Sequence, residues 1–239
     1  PLINNRKIMS RTRCAAIIPA AGRGLRMGGK EKQFLALGGV PIIVRTLRVF
    51  ETAASIDAIY LVVPKDKVAY CEKEIVQAFN LKKVIKVVAG GEERQDSVAN
   101  ALKLSSAYDI IVVHDGVRPF VTEKMITESI EGVLEYGAAV VAIPETDTVK
   151  EADKEGFISK EISRERLWRI QTPQTFKREL LEEAMNKANE EGFKGTDESS
   201  LIERGGGRVK IIEGNVFNIK ITVPEDIPLG EAILRSFQV

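Results

Sequence analysis

The sequence predicts an α/β fold: a mostly parallel sheet with helices on both faces. Five runs rich in Val and Ile, at residues 14–19, 58–63, 84–88, 110–113 and 138–143, are nearly continuous in apolarity, as strands buried on both faces are. Segments with helical periodicity, at 42–51, 67–79, 97–104 and 123–136, alternate with them. Such a β-α-β-α rhythm builds a parallel sheet, because each crossover lays a helix on one face or the other. The third observation is a glycine-rich basic loop directly after the first run, where open α/β sheets bind ligands.

The rhythm breaks after Pro144. Residues 146–161 alternate weakly and are strongly charged, with Asp153-Lys154-Glu155-Gly156 as a hairpin turn. A polar hairpin that cannot bury a face of its own lies on solvent or pairs with another chain. Helix returns at 178–191, and 209–212 and 218–223 read as further strands. A last helix starts at about Glu225, with Pro224 in front of it. With no internal repeat and no linker, residues 14–239 read as one domain carrying an excursion at about 146–163.

Composition bounds the function. Hydrophobic content of 44% and charged content of 29% are ordinary for a globular chain, long enough at 239 residues for a substantial core. A net charge of +1 argues against bulk electrostatic binding to nucleic acid or membranes. Cys14 and Cys71 sit in apolar runs, too few for a disulfide framework or metal cluster, which suits a reducing compartment. No run approaches a membrane span, and residues 1–13 lack the apolar stretch of a signal peptide. They read as a disordered leader in which Met9 could be the natural start, and the expected location is cytoplasmic.

The loop Ala20-Ala21-Gly22-Arg23-Gly24-Leu25-Arg26-Met27-Gly28-Gly29-Lys30-Glu31-Lys32-Gln33 combines glycines, which let backbone N–H groups approach a ligand, with four cations. That suits a polyphosphate; the plainer alternative is an exposed turn with solvated charges. Two better-known loops are excluded. The dinucleotide fingerprint needs a third glycine where Met27 stands, and a Walker loop needs Ser or Thr where Glu31 follows Gly29-Lys30.

His114-Asp115-Gly116-Val117-Arg118-Pro119 follows the fourth strand. An Asp at that strand end, facing a phosphate loop, is placed to hold magnesium, a hard cation that takes carboxylate and phosphate oxygens. It could instead pair with Arg118 or cap the next helix. His114, the chain's only histidine, reads as an inward structural side chain, since no matching base accompanies it. Gly90-Gly91-Glu92-Glu93-Arg94-Gln95-Asp96-Ser97 permits close contact with a flat ligand, with Ser97 offering a hydroxyl, although Arg94 and Asp96 could equally form a salt bridge steadying the loop. Arg164-Glu165-Arg166-Leu167-Trp168-Arg169 precedes Gln171-Thr172-Pro173-Gln174. Lys220, in Asn218-Ile219-Lys220-Ile221-Thr222, points to one side of its segment, towards a ligand or towards solvent.

In order, these motifs closely resemble the 2-C-methyl-D-erythritol 4-phosphate cytidylyltransferases, from about Ala15 to the carboxyl end. Glu31 stands where many members have Pro, and Gly116-Val117 where Ala-Ala is frequent; Asp115 and Arg118 are intact. The resemblance implies a Rossmann-like nucleotidyltransferase fold with a protruding β-arm. It implies transfer of CMP from CTP to the polyol phosphate, without a general base. Arg26, Lys32 and Lys220 would then surround the phosphates as catalytic groups, and Asp115 would hold Mg2+. Ala20, Ala21, Gly22, Gly24, Gly91, Ser97 and Asp115 would bind the nucleotide. Arg118, Thr148, Arg164 and Thr196 would bind the methylerythritol phosphate, and the arm would join a homodimer. Ribitol 5-phosphate cytidylyltransferases share several motifs, and a nucleotide-sensing protein without turnover is the alternative of another class. The presence of Arg26, Lys32, Asp115 and Lys220 together favours an enzyme.

Overall fold

The structure, a computed structural model, describes residues 12–22 and 31–236. Its core is a seven-stranded sheet, built from β1 (Cys14–Pro19), β4 (Ala58–Val63), β5 (Val84–Ala89), β6 (Ile110–Val113), β7 (Ala138–Pro144), β10 (Trp168–Lys177) and β11 (Lys210–Glu213). They lie in the order β11-β7-β10-β6-β1-β4-β5. The first five apolar runs are all strands, shifted by at most one residue at their ends. Every neighbouring pair is parallel except those of β10, which runs antiparallel to both β6 and β7.

Alternation along the strands divides the core between two faces. Ala16 and Ile18 of β1 pack with Leu47 and Phe50 of α1 (Ile42–Thr52) and with Ile126 and Val133 of α4 (Glu123–Tyr136). Cys71 and Ile75 join them from α2, which starts at Val68–Tyr70 and continues as the π-helical Cys71–Gln77 where a uniform helix over 67–79 was expected. Ala15 and Ile17 face the other way, onto Val98 and Ala101 of α3 (Arg94–Leu102), Leu181 and Met185 of α5 (Arg178–Glu190), and Leu201 of α6 (Glu198–Arg204). Helix α3 starts three residues before the expected Ser97, because the Asp96 carboxylate reaches back to accept the Glu93 N–H at 3.0 Å.

A third, small core of Leu37, Ile42, Val117, Phe120, Ile221 and Ile233 sits under α7 (Asp226–Ser236). It also seats a two-stranded ribbon of β2 (Ala36–Leu37) and β3 (Val40–Pro41), turned by Gly38 and Gly39 at φ +54° and +76°. Positive φ at both turn residues is what a tight hairpin demands and glycine supplies.

Residues 218–223 are not a strand. The Ile221 N–H reaches Val117 O at 2.9 Å, and Asp226 Oδ2 takes the N–H groups of Thr222 and Val223 at 2.6 and 3.0 Å. The apolar alternation is real, but Ile219 and Ile221 bury against the third core rather than on a sheet.

The polar hairpin is formed by β8 (Val149–Ala152) and β9 (Ile158–Ile162). Its tip is held by Asp153 Oδ1, which accepts from the N–H groups of Glu155 and Phe157. Phe157 and Ile158 are 69% and 70% exposed, and the arm adds nothing to the three cores. Among the described residues no helix is long and apolar enough to cross a membrane.

Candidate active site at the strand-order switch

From β1 the chain proceeds to β4 and β5 on one side, and β6 returns to the other side of β1. The carboxyl ends of β1 and β6 therefore diverge and open a crevice, where α/β sheets place their ligands. A cavity of about 230 Å³ lies there, lined by Pro19, Ala20, Ala21 and Gly22 after β1, Lys32 and Gln33, Gly91–Arg94 and Ser97 after β5, Asp115 and Val117 after β6, and Lys220.

Asp115 is the electrostatic centre. Its Oδ2 accepts from Lys220 Nζ at 2.8 Å and lies 3.6 Å from Arg118 Nε, while Oδ1 accepts from Arg94 Nε at 3.2 Å. Burial alone would raise its pKa, but Arg94, Lys220 and Arg118 together hold the carboxyl well below the usual range. Arg94 is in turn gripped by Glu198, whose two oxygens lie 2.6 and 2.8 Å from Nη1. Burial opposes the Arg94 charge, and Glu198 and Asp115 more than restore it. The alternative reading of the loop, a salt bridge between Arg94 and Asp96, is not what forms: Asp96 caps α3 and Arg94 turns to Asp115 and Glu198.

His114 is buried and neutral, as its inward reading requires: desolvation lowers its pKa to about 4. Its partners assign the tautomer. Nε2–H donates to Arg118 O at 3.1 Å, since a carbonyl can only accept. Nδ1 then accepts from the Thr172 hydroxyl at 2.9 Å, and that oxygen accepts the Asp115 N–H at 3.2 Å. The ring thus braces the turn that presents Asp115.

The Gln-Thr-Pro-Gln motif lies inside β10 and wires the site from behind. Gln171 accepts from the Asn218 amide at 3.2 Å, Thr172 O accepts from it at 2.9 Å, and Arg118 Nη1 donates to Asn218 O at 2.7 Å, fixing the segment that carries Lys220. Gln174 donates to Asp197 at 2.8 Å and accepts the Ser199 N–H at 3.0 Å, fixing the first turn of α6 and so Glu198.

The loop after β5 is tight. Ser97 Oγ accepts the Gly91 N–H at 3.1 Å and donates to Glu93 O. A Cβ at Gly90 would meet Ala21 Cβ at 2.5 Å, and one at Gly91 would meet Asp96 Cβ at 2.3 Å. These are distances real side chains do not tolerate, so both glycines serve close backbone approach.

Of the residues singled out from sequence, Ala20, Ala21, Gly22, Lys32, Gly91, Ser97, Asp115 and Lys220 line the cavity together. Gly24 and Arg26 lie outside the described residues. Arg118 is a partly buried strut between Asp115 and Asn218 rather than a wall of the cavity. Thr148, Arg164 and Thr196 are exposed and do not line it; Arg164 donates to Thr146 O at the base of the arm. Sequence reasoning missed Glu198, Thr172 and Gln174 as site-building groups. Only the Gln-Thr-Pro-Gln motif signalled any of them.

The donor set bears on magnesium. Among the described residues no three His, Cys, Asp or Glu side chains gather to hold an ion. Both Asp115 oxygens already face cations. One carboxylate fits magnesium that arrives with phosphate oxygens of its own, the usual pattern for this ion, and does not fit a resident metal.

An open, mostly parallel sheet with a cationic, glycine-lined crevice at its switch point is the frame of the class to which the chain belongs: the nucleotidyltransferases. The family model described as 2-C-methyl-D-erythritol 4-phosphate cytidylyltransferase matches residues 14–236, and the chain belongs to that family. A 2-C-methyl-D-erythritol 4-phosphate cytidylyltransferase of Geobacter metallireducens is 45% identical over 226 residues, covering 92% of this chain and 97% of its own. One from Bacillus cereus is 44% identical over 220 residues, covering 92% and 96%. The solved 4-diphosphocytidyl-2C-methyl-D-erythritol synthase of Anaerococcus prevotii superposes with a TM-score of 0.83 at 33% identity, covering 94% of this chain and 96% of that one.

Proposed function

We infer that this cytidylyltransferase takes CTP and 2-C-methyl-D-erythritol 4-phosphate and makes 4-diphosphocytidyl-2-C-methyl-D-erythritol and pyrophosphate, a step of isoprenoid biosynthesis. The observation that carries the reading is Asp115, ringed by Lys220, Arg94 and Arg118 beside a glycine-lined loop at the switch point. An oxygen of the substrate's phosphate attacks the α-phosphorus of CTP. The bond from that phosphorus to the bridging oxygen breaks, and pyrophosphate leaves with the electron pair. A phosphomonoester has a second pKa of about 6, so near neutrality it is already a nucleophile, and a buried neutral His114 needs no part in proton transfer.

Catalysis then rests on positioning and charge. Lys32 and Lys220, which both line the cavity, neutralise the triphosphate together with Arg26. Ala20, Ala21, Gly22, Gly91 and Ser97 hold the cytidine, with Gly24 in the same loop. Asp115 would hold Mg2+ brought by CTP, and the ion would supply positive charge to offset that of the departing pyrophosphate. Arg118, Thr148, Arg164 and Thr196 take the polyol phosphate, two of them carried on or beside the arm.

The exposed Phe157 and Ile158 support an arm that embraces a second copy, giving a homodimer. Residues 14–239 act as one domain with that arm. Two buried cysteine thiols and a net charge of +1 support a cytoplasmic enzyme without nucleic-acid or membrane partners.

A panel of polyol phosphates with CTP or UTP, followed by pyrophosphate release, tests this. Turnover is expected with the methylerythritol phosphate and CTP, and poorly with UTP, because the wrong pyrimidine edge leaves buried groups unpaired. Preference for ribitol 5-phosphate, or equal kcat/KM for the two nucleotides, would overturn the substrate assignment.

A further inference from the structure

Glu198 has no task in this mechanism, yet it is 1% exposed and both its oxygens are spent on Arg94 Nη1. A buried ion pair is weak reason in itself for stability, since apolar residues of similar volume often serve as well. Its placement is elaborate for a packing role. Asp197 and Ser199 on either side of it are both tied to Gln174, whose register partner is Val113, two residues before Asp115. Glu198, Arg94 and Asp115 thus form one row, continued by Lys220 at the cavity.

The charges explain the row. Arg94, Arg118 and Lys220 bring three positive charges, and Asp115 and Glu198 two negative ones; burial pushes the Glu198 carboxyl up, and Arg94 against both of its oxygens works to keep it ionised. Glu198 absorbs the charge of Arg94, so Arg94 steers Asp115 through a single Nε contact without claiming it. Were Glu198 neutral, Arg94 would pair fully with Asp115 and draw it from Lys220.

We propose that Glu198 is a positioning residue for nucleotidyl transfer: it orients and neutralises Arg94, so that Arg94 fixes Asp115 Oδ1 while Oδ2 and Lys220 remain exchangeable towards the phosphates. The proposal rests on the cytidylyltransferase reading of the cavity, which turnover of the unaltered protein in the same assay tests separately.

Glu198→Gln keeps the shape and removes the charge. Its kcat is expected to fall about 10- to 100-fold, the scale of a small misplacement at a reacting centre. The Kd for CTP, measured by calorimetry without the polyol phosphate, stays unchanged or tightens, because the cavity gains positive charge. A merely structural role would lower the melting temperature and weaken CTP binding and kcat together. In an Arg94→Met background, Glu198→Gln is expected to cost no further kcat, since its route runs through Arg94. A kcat within about twofold of the unaltered enzyme, or losses that multiply in the double variant, overturns the proposal. Should Glu198→Gln not fold, Arg94→Lys decides: a single ammonium cannot span both carboxylates, so kcat falls with CTP affinity kept, and a normal kcat refutes the idea.

Discussion

Asp115 shows how one side chain can be legible in sequence while its surroundings are not. Its place after an apolar strand pointed to a polar site, and the pairing with Arg118, weighed as the alternative, is present as well. Arg94 and Glu198 stayed hidden, because Glu198 lies 104 residues from its partner and nothing local marks it as buried. Asp115→Asn is expected to lower kcat by about a hundredfold or more, as loss of a charge contact in the transition state does. It also takes from Lys220 and Arg118 the carboxylate they share, so its melting temperature should drop; near-normal turnover would remove Asp115 from the reaction. His114 sets a different dependence. Unfolded, a histidine takes up its proton below about pH 6.5, whereas the folded chain resists until about pH 4. The unfolded state therefore binds more protons across that window, and stability falls as pH falls, at about 1 kcal/mol per pH unit at most. Asp115, depressed below the carboxylate range, adds its loss only in stronger acid. Urea titrations between pH 7 and 4 should show the slope, and His114→Gln should flatten it. An unchanged slope in that variant would place the acid sensitivity elsewhere.

Among the elements, the parallel strands were readable because burial on both faces leaves a run of Val and Ile. Strand β10 was not, because Gln171, Thr172 and Gln174 are buried as wiring instead of as apolar packing. Residues 218–223 misled in the opposite sense: the alternation of Ile219 and Ile221 marks a half-buried extended segment, whichever surface covers it. Helix α6 escaped notice for its length, although Asp197 accepts the Ser200 N–H at 2.9 Å, an ordinary N-cap. The wiring makes a direct claim. Thr172→Val should leave His114 Nδ1 and the Asp115 N–H without their partner, at a cost of about 1–3 kcal/mol. Chemical denaturation measures it, and a change below the error of the method would mean that the hydroxyl does not bridge the two.

At the scale of the molecule, the proposed homodimer brings Arg164 and the arm to a neighbouring site. Lys32→Ala and Arg164→Ala chains, each nearly inactive alone, can be mixed and allowed to exchange. If Arg164 acts across the interface, each mixed dimer has one intact site, and random pairing restores about a quarter of the original activity. No recovery despite proven exchange would assign Arg164 to its own chain. The segment that carries Lys220 has a consequence for how the enzyme comes into being. All seven strands of the sheet precede it in chain order, and its anchors at Val117, Arg118 and Gln171 lie on elements already in place. A chain emerging from the ribosome can therefore complete its scaffold while Asp115 still waits for Lys220.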